Sequence, residues 1–255
     1  MRSAFAVQAW AAIAPGLQSQ EQWLRWAEAP VSPVGDTEIE LPHVPAMSRR
    51  RLGQLAKLAI SVADQVLLHA RGADIPVVWA SRYGDAEKTL ALLRSQALDE
   101  PLSPTAFGLS VHNAVGAQHS ILRGMRANSV CVASSHCVPE AGVVEAVGLL
   151  SDMEQESPEV LLVCYDGRLP HDYAVFHDEP ASEYAWAALL APCPAGSEGF
   201  VLQAQDCAPQ GVDPAAGASA LPHGLDVLHF LVQAQRHSLM RGHASGQWMW
   251  ERVHV

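Results

Sequence analysis

SVCVASSHCVPEAGVVEAVGLLSD, residues 129 to 152, places a short apolar run directly before a helical pattern. SVCVASS has the composition of a strand. PEAGVVEAVGLLSD reads as a helix with Pro139 suitably placed in its first turn. The strand therefore delivers Ser135, His136 and Cys137 side by side to a helix start, where many enzymes hold a nucleophile. A helix N-terminus favours a thiolate, so the spacing predicts a lowered pKa for Cys137. His136 is its neighbour in an extended chain, where successive side chains point to opposite sides, so it is not expected to act as the base for Cys137.

Outward from this stretch, strands alternate with helices. AFAVQAWAAI is a buried strand, and SQEQWLRWAEA is a short helix with Ser19 as its N-cap. Residues 29 to 46 are proline-rich and read as a loop. SRRRLGQLAKLAISVADQVLLHA has apolar residues at helical spacing and is the strongest helix. PVVWASRYGD is a short buried strand, AEKTLALLRSQAL a helix, and PTAFGLSVHNAVGAQHSILRGM a loop leading into a helix. EVLLVCYDG is apolar throughout, as in strands buried on both faces. YAWAALLAPC and GFVLQAQDC read as two further strands, antiparallel neighbours of each other. GVDPAAGASALPHG reads as a flexible loop, LDVLHFLVQAQRHSL as a final helix, and the tail carries Trp248 and Trp250 in alternation, an edge or interface pair. The pattern predicts an α/β fold with a mixed, mostly parallel central sheet and helices on both faces, as one domain over residues 1 to 255.

With 255 residues, 49 % hydrophobic and 17 % charged, the chain can bury a sizeable core. A formal net charge of −11 disfavours nucleic acid and anionic lipid as partners. Arg49 to Arg51 form the longest basic cluster, a local patch at an apparent helix start. The five cysteines, Cys131, Cys137, Cys164, Cys193 and Cys207, form no C-x-x-C pair, so zinc and redox motifs are unsupported and a reducing cytoplasm is expected. The N-terminal residues faintly resemble a secretory leader, but Gln8 and Pro15 break the apolar run and no cleaved signal is expected. No stretch reaches the ~20 apolar residues of a membrane span.

There is no G-x-G-x-x-G, P-loop or G-x-S-x-G, and no cofactor is expected. His112 and His119 lie seven apart on one expected helix and share a face; packing or interface roles are favoured over metal binding, since no carboxylate sits at a supporting position. Asp166 ends the EVLLVCY strand, at the edge where α/β folds gather function, although an Asp-Gly turn explains it as well.

The order of elements from SPTAFGLSVHNAVGAQHSILRGMRANSVCVASSHCVPEAGVV to PEVLLVCYDG resembles the β-ketoacyl synthases, condensing enzymes of thiolase fold. AVQAWAAIAPGLQSQEQWLRWAEA resembles that family's opening strand and helix, and GFVL near residue 199 its gated loop segment. Asn113 matches the family's asparagine. The likeness covers nearly the whole chain and is best for the stand-alone, chain-length-factor-like N-terminal domain proteins associated with aryl-polyene-type pigment pathways. Counting from Asn113 without gaps, His136 stands at the family's nucleophile position, with Ser135 one residue early and Cys137 one late. The two catalytic histidines belong to the family's C-terminal half, which this chain is not expected to carry. Decarboxylative condensation needs both a thiolate and donors to the developing charge.

The resemblance implies a non-catalytic subunit with a degenerate elbow at Ser135, His136 and Cys137. Its expected partner is a full-length β-ketoacyl synthase, met through Ser110, Val111, His112, Asn113, Val130 and Val132, with acyl carrier protein contacted indirectly. Two alternatives stay open: a small acyltransferase or hydrolase using Cys137 with His112 or His171 as base, and a homodimeric binding protein of the same half-fold.

Overall fold

The structure, a computed structural model, describes residues 4–152, 158–205, 220–243 and 246–255. Eight strands form one sheet: β1 (Phe5–Ile13), β2 (Val77–Ala80), β3 (Ser129–Val132), β4 (Val160–Asp166), β5 (Tyr184–Pro192), β6 (Glu198–Gln205), β7 (Ser238–His243) and β8 (Gly246–His254), in the order β3-β2-β4-β5-β1-β6-β8-β7. Around it lie α1 (Gln20–Trp26), α2 (Ala46–Arg49), α3 (Gln54–Leu67), α4 (Ala86–Ala97), α5 (Pro104–Ser110), α6 (Ala114–Arg123), α7 (Val138–Asp152), α8 (His223–Val232) and a 3-10 helix (His171–Phe176).

The apolar β4 is central because both its faces are covered. Val160, Leu162 and Cys164 join one core with α7 and α8, while Leu161, Val163 and Tyr165 join the other, filled by α3. The period-two pleat assigns these residues alternately to the two cores. β2 divides likewise: Val78 and Ala80 face the α7 side, Val77 and Trp79 the α3 side. Gly142 lets α7 lie close on the sheet, since a Cβ there would stand 2.8 Å from Leu162 Cδ1 and 3.1 Å from Ala80 Cβ. α1 is fixed by a capping box between Ser19 and Gln22 and buries Trp23 and Trp26.

The α/β class with helices on both faces holds. The sheet is mixed, but parallel pairing is confined to β3-β2-β4, and the remaining neighbours are antiparallel. The expectation of a mostly parallel sheet fails because strand-helix alternation extends only as far as β4. β5 and β6 are not neighbours: β1 lies between them. GFVL is part of β6, with Phe200 and Leu202 in the core, rather than a loop segment. The long helix expected from Ser48 splits at Gly53, which caps α3 in extended backbone. The last helix ends at Val232, and residues expected to continue it enter β7. Trp250 is a core residue and Trp248 packs beside it, so the tail pair stabilises the fold from β8, inside the sheet rather than at its edge. Much of the loop expected after β6, with Cys207, lies outside the described residues.

Candidate functional site

β3 is an edge strand, and its C-terminal end turns through residues 133 to 137 into α7. Ser134 Oγ accepts a hydrogen bond from Cys137 N at 3.3 Å and so closes the turn. Ser135 is exposed, while His136 and Cys137 are half-buried. His136 Nδ1 lies 3.5 Å from Asp178 Oδ2. Asp178 in turn accepts two hydrogen bonds from Arg82, at 2.6 and 2.7 Å. Arg82 follows the end of β2, and its side chain also lies 3.7 Å from Glu179. Glu179 accepts from the backbone N–H of His223, at the start of α8, at 3.1 Å. The segment His177–Glu179 therefore straps together the elbow, the β2 end and the α8 start.

Beneath the elbow, Glu140 is 0 % exposed in the first turn of α7. His223 Nε2 lies 2.8 Å from its Oε2, and Trp250 Nε1 donates to its Oε1 at 2.8 Å. These two contacts meet both oxygens of a fully buried carboxyl group. Burial pushes the Cys137 thiol up to about 11, and the carboxylates of Glu140 and Glu179 add to it against a weaker opposite effect of Arg241. The lowered pKa expected from the helix N-terminus is therefore reversed, because desolvation and acidic neighbours outweigh the helix end. His112 Nε2 contacts Ser81 O at 2.9 Å, and His171 opens the exposed 3-10 helix, so the structure shows neither in the role of a base to Cys137.

His112 and His119 do not share a helix face. His112 lies in the break between α5 and α6, whereas His119 is buried on α6, 3.3 Å from Asp64 Oδ1 and edge-on to Trp79. Among the described residues no group of His, Cys, Asp and Glu is arranged to hold a metal ion. Asp166 is more than a turn former. Ser81 Oγ and Arg82 N donate to it at 3.0 and 2.8 Å, and Tyr184 Oη at 3.4 Å. Burial drives its carboxyl up to about 7 despite these donors.

The residues expected at an interface lie on β3 and at the junction of α5 and α6. Val130 and Val132 are half-buried on β3, whose second edge is unpaired in the sheet. Ser110 ends α5 half-buried, Val111 and Asn113 are exposed, and His112 between them is half-buried. Asn113 makes no capping bond to α6. Around them Phe107 is 63 % and Ile121 81 % exposed, and α5 buries no residue. From Pro101 to Pro139 there is no acidic residue, in a chain of net charge −11. Arg82, Glu140, Asp178, Glu179 and His223 escaped sequence reading; the one available signal was Glu140, a carboxylate in the first turn of a largely apolar helix that also carries Glu145 and Asp152.

The family model for the β-ketoacyl synthase N-terminal domain matches residues 23–251. The chain belongs to this family. Among solved structures it is similar to a chain of "Ketosynthase (ApeO) in Complex with its Chain Length Factor (ApeC) from Xenorhabdus doucetiae", at 25 % identity and TM-score 0.80, covering 98 % of this chain and 99 % of that one. It is also similar to a chain of the ishigamide ketosynthase/chain length factor, at 12 % identity and TM-score 0.57, covering 78 % of this chain and 64 % of that one. A β-ketoacyl synthase from Burkholderia phymatum STM815 matches at 11 % identity and TM-score 0.62, over 74 % of this chain and 59 % of that one. The last two likenesses show the fold alone, the thiolase-like ketosynthase fold; its chain-length-factor-like form rests on the likeness to the ApeO/ApeC complex. No curated protein matches the sequence.

Proposed function

We propose that this chain is a non-catalytic, chain-length-factor-like subunit. It pairs with a catalytic β-ketoacyl synthase in fatty-acid- or polyketide-type synthesis, of the kind that makes aryl-polyene pigments in the cytoplasm. The observation that carries the reading is the face built on β3, α5 and α6: an open strand edge, exposed Phe107, Val111 and Ile121, and no acidic residue from Pro101 to Pro139. Large apolar residues and few charges are the composition of an interface core. An unpaired edge strand offers its backbone groups to a second sheet.

The elbow supports a structural rather than a chemical role. His136 stands where the family resemblance puts the nucleophile, and its Nδ1 lies 3.5 Å from Asp178 Oδ2. The neighbouring thiol is held protonated by burial. The partner supplies the thiolate and the donors to the oxyanion, and this subunit closes one wall of the acyl tunnel. The acidic surface disfavours direct docking of an acidic carrier protein, so the partner carries most of that contact.

Capture of the tagged chain from its native host tests the reading. A full-length β-ketoacyl synthase at one-to-one stoichiometry is the expected result; the chain recovered alone as a homodimer rejects it.

A further inference from the structure

One residue holds both Asp166 and the strap. The backbone N–H of Arg82 donates to the Asp166 carboxyl group at 2.8 Å, while its guanidinium donates to Asp178 at 2.6 and 2.7 Å. Asp166 is half-buried at the end of β4, whereas His177 and Asp178 on the strap are exposed. A cavity of about 60 Å³ has Asp166, Arg82, Asp178 and Glu179 in its wall. That volume holds water but no ligand-sized molecule.

The charges on this wall do not balance. Of its two arginines, Arg168 donates to the carbonyl of Gly35, and the guanidinium of Arg82 is taken by Asp178, with Glu179 at 3.7 Å. Among the described residues, Asp166 is hydrogen-bonded by the Arg82 N–H, Ser81 Oγ and Tyr184 Oη, but it is ion-paired to no cation. Tyr83, Tyr165, Tyr184 and Cys164 surround it; desolvation pushes all four upward, so they stay uncharged. Three histidines stand near the acids of the strap. His177 precedes Asp178, His136 lies 3.5 Å from Asp178, and the backbone N–H of His223 donates to Glu179.

Desolvation pushes the Asp166 carboxyl up to about 7; Arg82 N and Ser81 Oγ oppose this, and the charge of Glu179 adds to it. Moving the strap away admits water and removes Glu179, and both changes favour the charged form. The open arrangement therefore holds the proton less tightly. By linkage, opening becomes easier as pH rises toward 7 and gains nothing further above it.

We propose that the strap His177–Glu179 is a proton-controlled cover over Asp166, closed while Asp166 keeps its proton and released when that proton passes to solvent. Release also takes Asp178 from His136 at the elbow and Glu179 from the start of α8. The proposal does not rest on pairing with a ketosynthase.

The test is hydrogen exchange of the full chain from pH 5 to pH 8, followed by NMR at the His223 backbone N–H and corrected for the intrinsic pH dependence of exchange. Protection should fall at least about tenfold between pH 5 and pH 7 and level off above that. It should stay below the protection of α3, because the strap opens locally. Asp166→Asn has no proton to lose, and its protection should change less than about threefold over the same range. His136→Asn and His177→Asn should keep the wild-type profile. A flat wild-type profile, a fall that persists in Asp166→Asn, a fall abolished by either histidine variant, or His223 protection equal to that of α3 overturns the proposal. If Asp166→Asn does not fold, the carbon-13 shift of the wild-type Asp166 carboxyl decides. Titration where protection levels off supports the cover, and titration more than about one pH unit away overturns it.

Discussion

Glu140 Oε2 and His223 Nε2 lie 2.8 Å apart, a contact that joins the helix after the elbow to α8. Trp250 adds a second donor from β8. Three elements distant in sequence therefore meet on one carboxylate. This fixes α7 from its first turn, and with it the geometry of residues 134 to 137.

Removing one member should cost more than the contact itself contributes, because it leaves a buried polar group without its partner. Glu140→Ala leaves the Trp250 N–H and the His223 ring without their acceptor, and His223→Ala leaves the carboxylate with Trp250 alone. Each variant should lose about 1–3 kcal/mol of unfolding free energy. Urea denaturation followed by far-UV circular dichroism measures it. A loss below about 1 kcal/mol would mean that water replaces the missing partner.

Cys137 should be a slow thiol. With its pKa near 11, roughly one molecule in several thousand carries the thiolate at pH 7.5. Alkylation by iodoacetamide, followed by peptide mass spectrometry, should speed up about tenfold per pH unit from pH 7 to pH 10 without levelling off. Cys131, also raised to about 11 by burial, should behave similarly. A rate that saturates below pH 8 would show an activated thiol and revive the acyltransferase reading.

Asp166 should make stability depend on pH. Its folded pKa of about 7 lies above the ordinary carboxylate value of 3.8. Between these values the folded state holds a proton that the unfolded state has released, so stability falls as pH rises from about 4 to 7 and the contribution is constant above that. Asp166→Asn cannot titrate. Its stability relative to the wild type should improve from pH 4.5 to pH 7.5, as read from urea midpoints at both pH values. A difference that does not change with pH would place the folded pKa near normal.

Two glycines on α7 should respond with opposite sign to alanine. Gly148 has open space where a Cβ would stand, so Gly148→Ala should gain about 0.5–1 kcal/mol from helix propensity. At Gly142 the same atom meets Leu162 and Ala80. Overpacking of about 1–3 kcal/mol exceeds that gain, so Gly142→Ala should destabilise. Thermal melts of the two variants compare them directly.

Local signals in the sequence carried much of this fold. Ser19 with Gln22, Pro139 after the elbow and the unbroken apolar run of β4 each act within a few residues, and each element stands where they put it. Sheet order is a long-range property: nothing in YAWAALLAPC or GFVLQAQDC says that β1 separates them. At the site, the elbow was legible because strand, turn and helix are contiguous. Its surroundings were not, because Arg82 and Asp178 come from two separate connections and His223 from the start of α8. The thiol at Cys137 was misjudged for the same reason: the helix end was visible in sequence, but the burial and the acidic neighbours were not.

The most direct test of the central claim is capture of the tagged chain from its native host, as wild type and as the surface variants Phe107→Asp and Ile121→Asp. Both side chains are more than half exposed, so the isolated variants should melt with the wild type. The account predicts a full-length β-ketoacyl synthase at one to one with the wild-type chain, and its loss from both variants. Recovery of the wild type alone, or variants that retain the synthase at full stoichiometry, would contradict it.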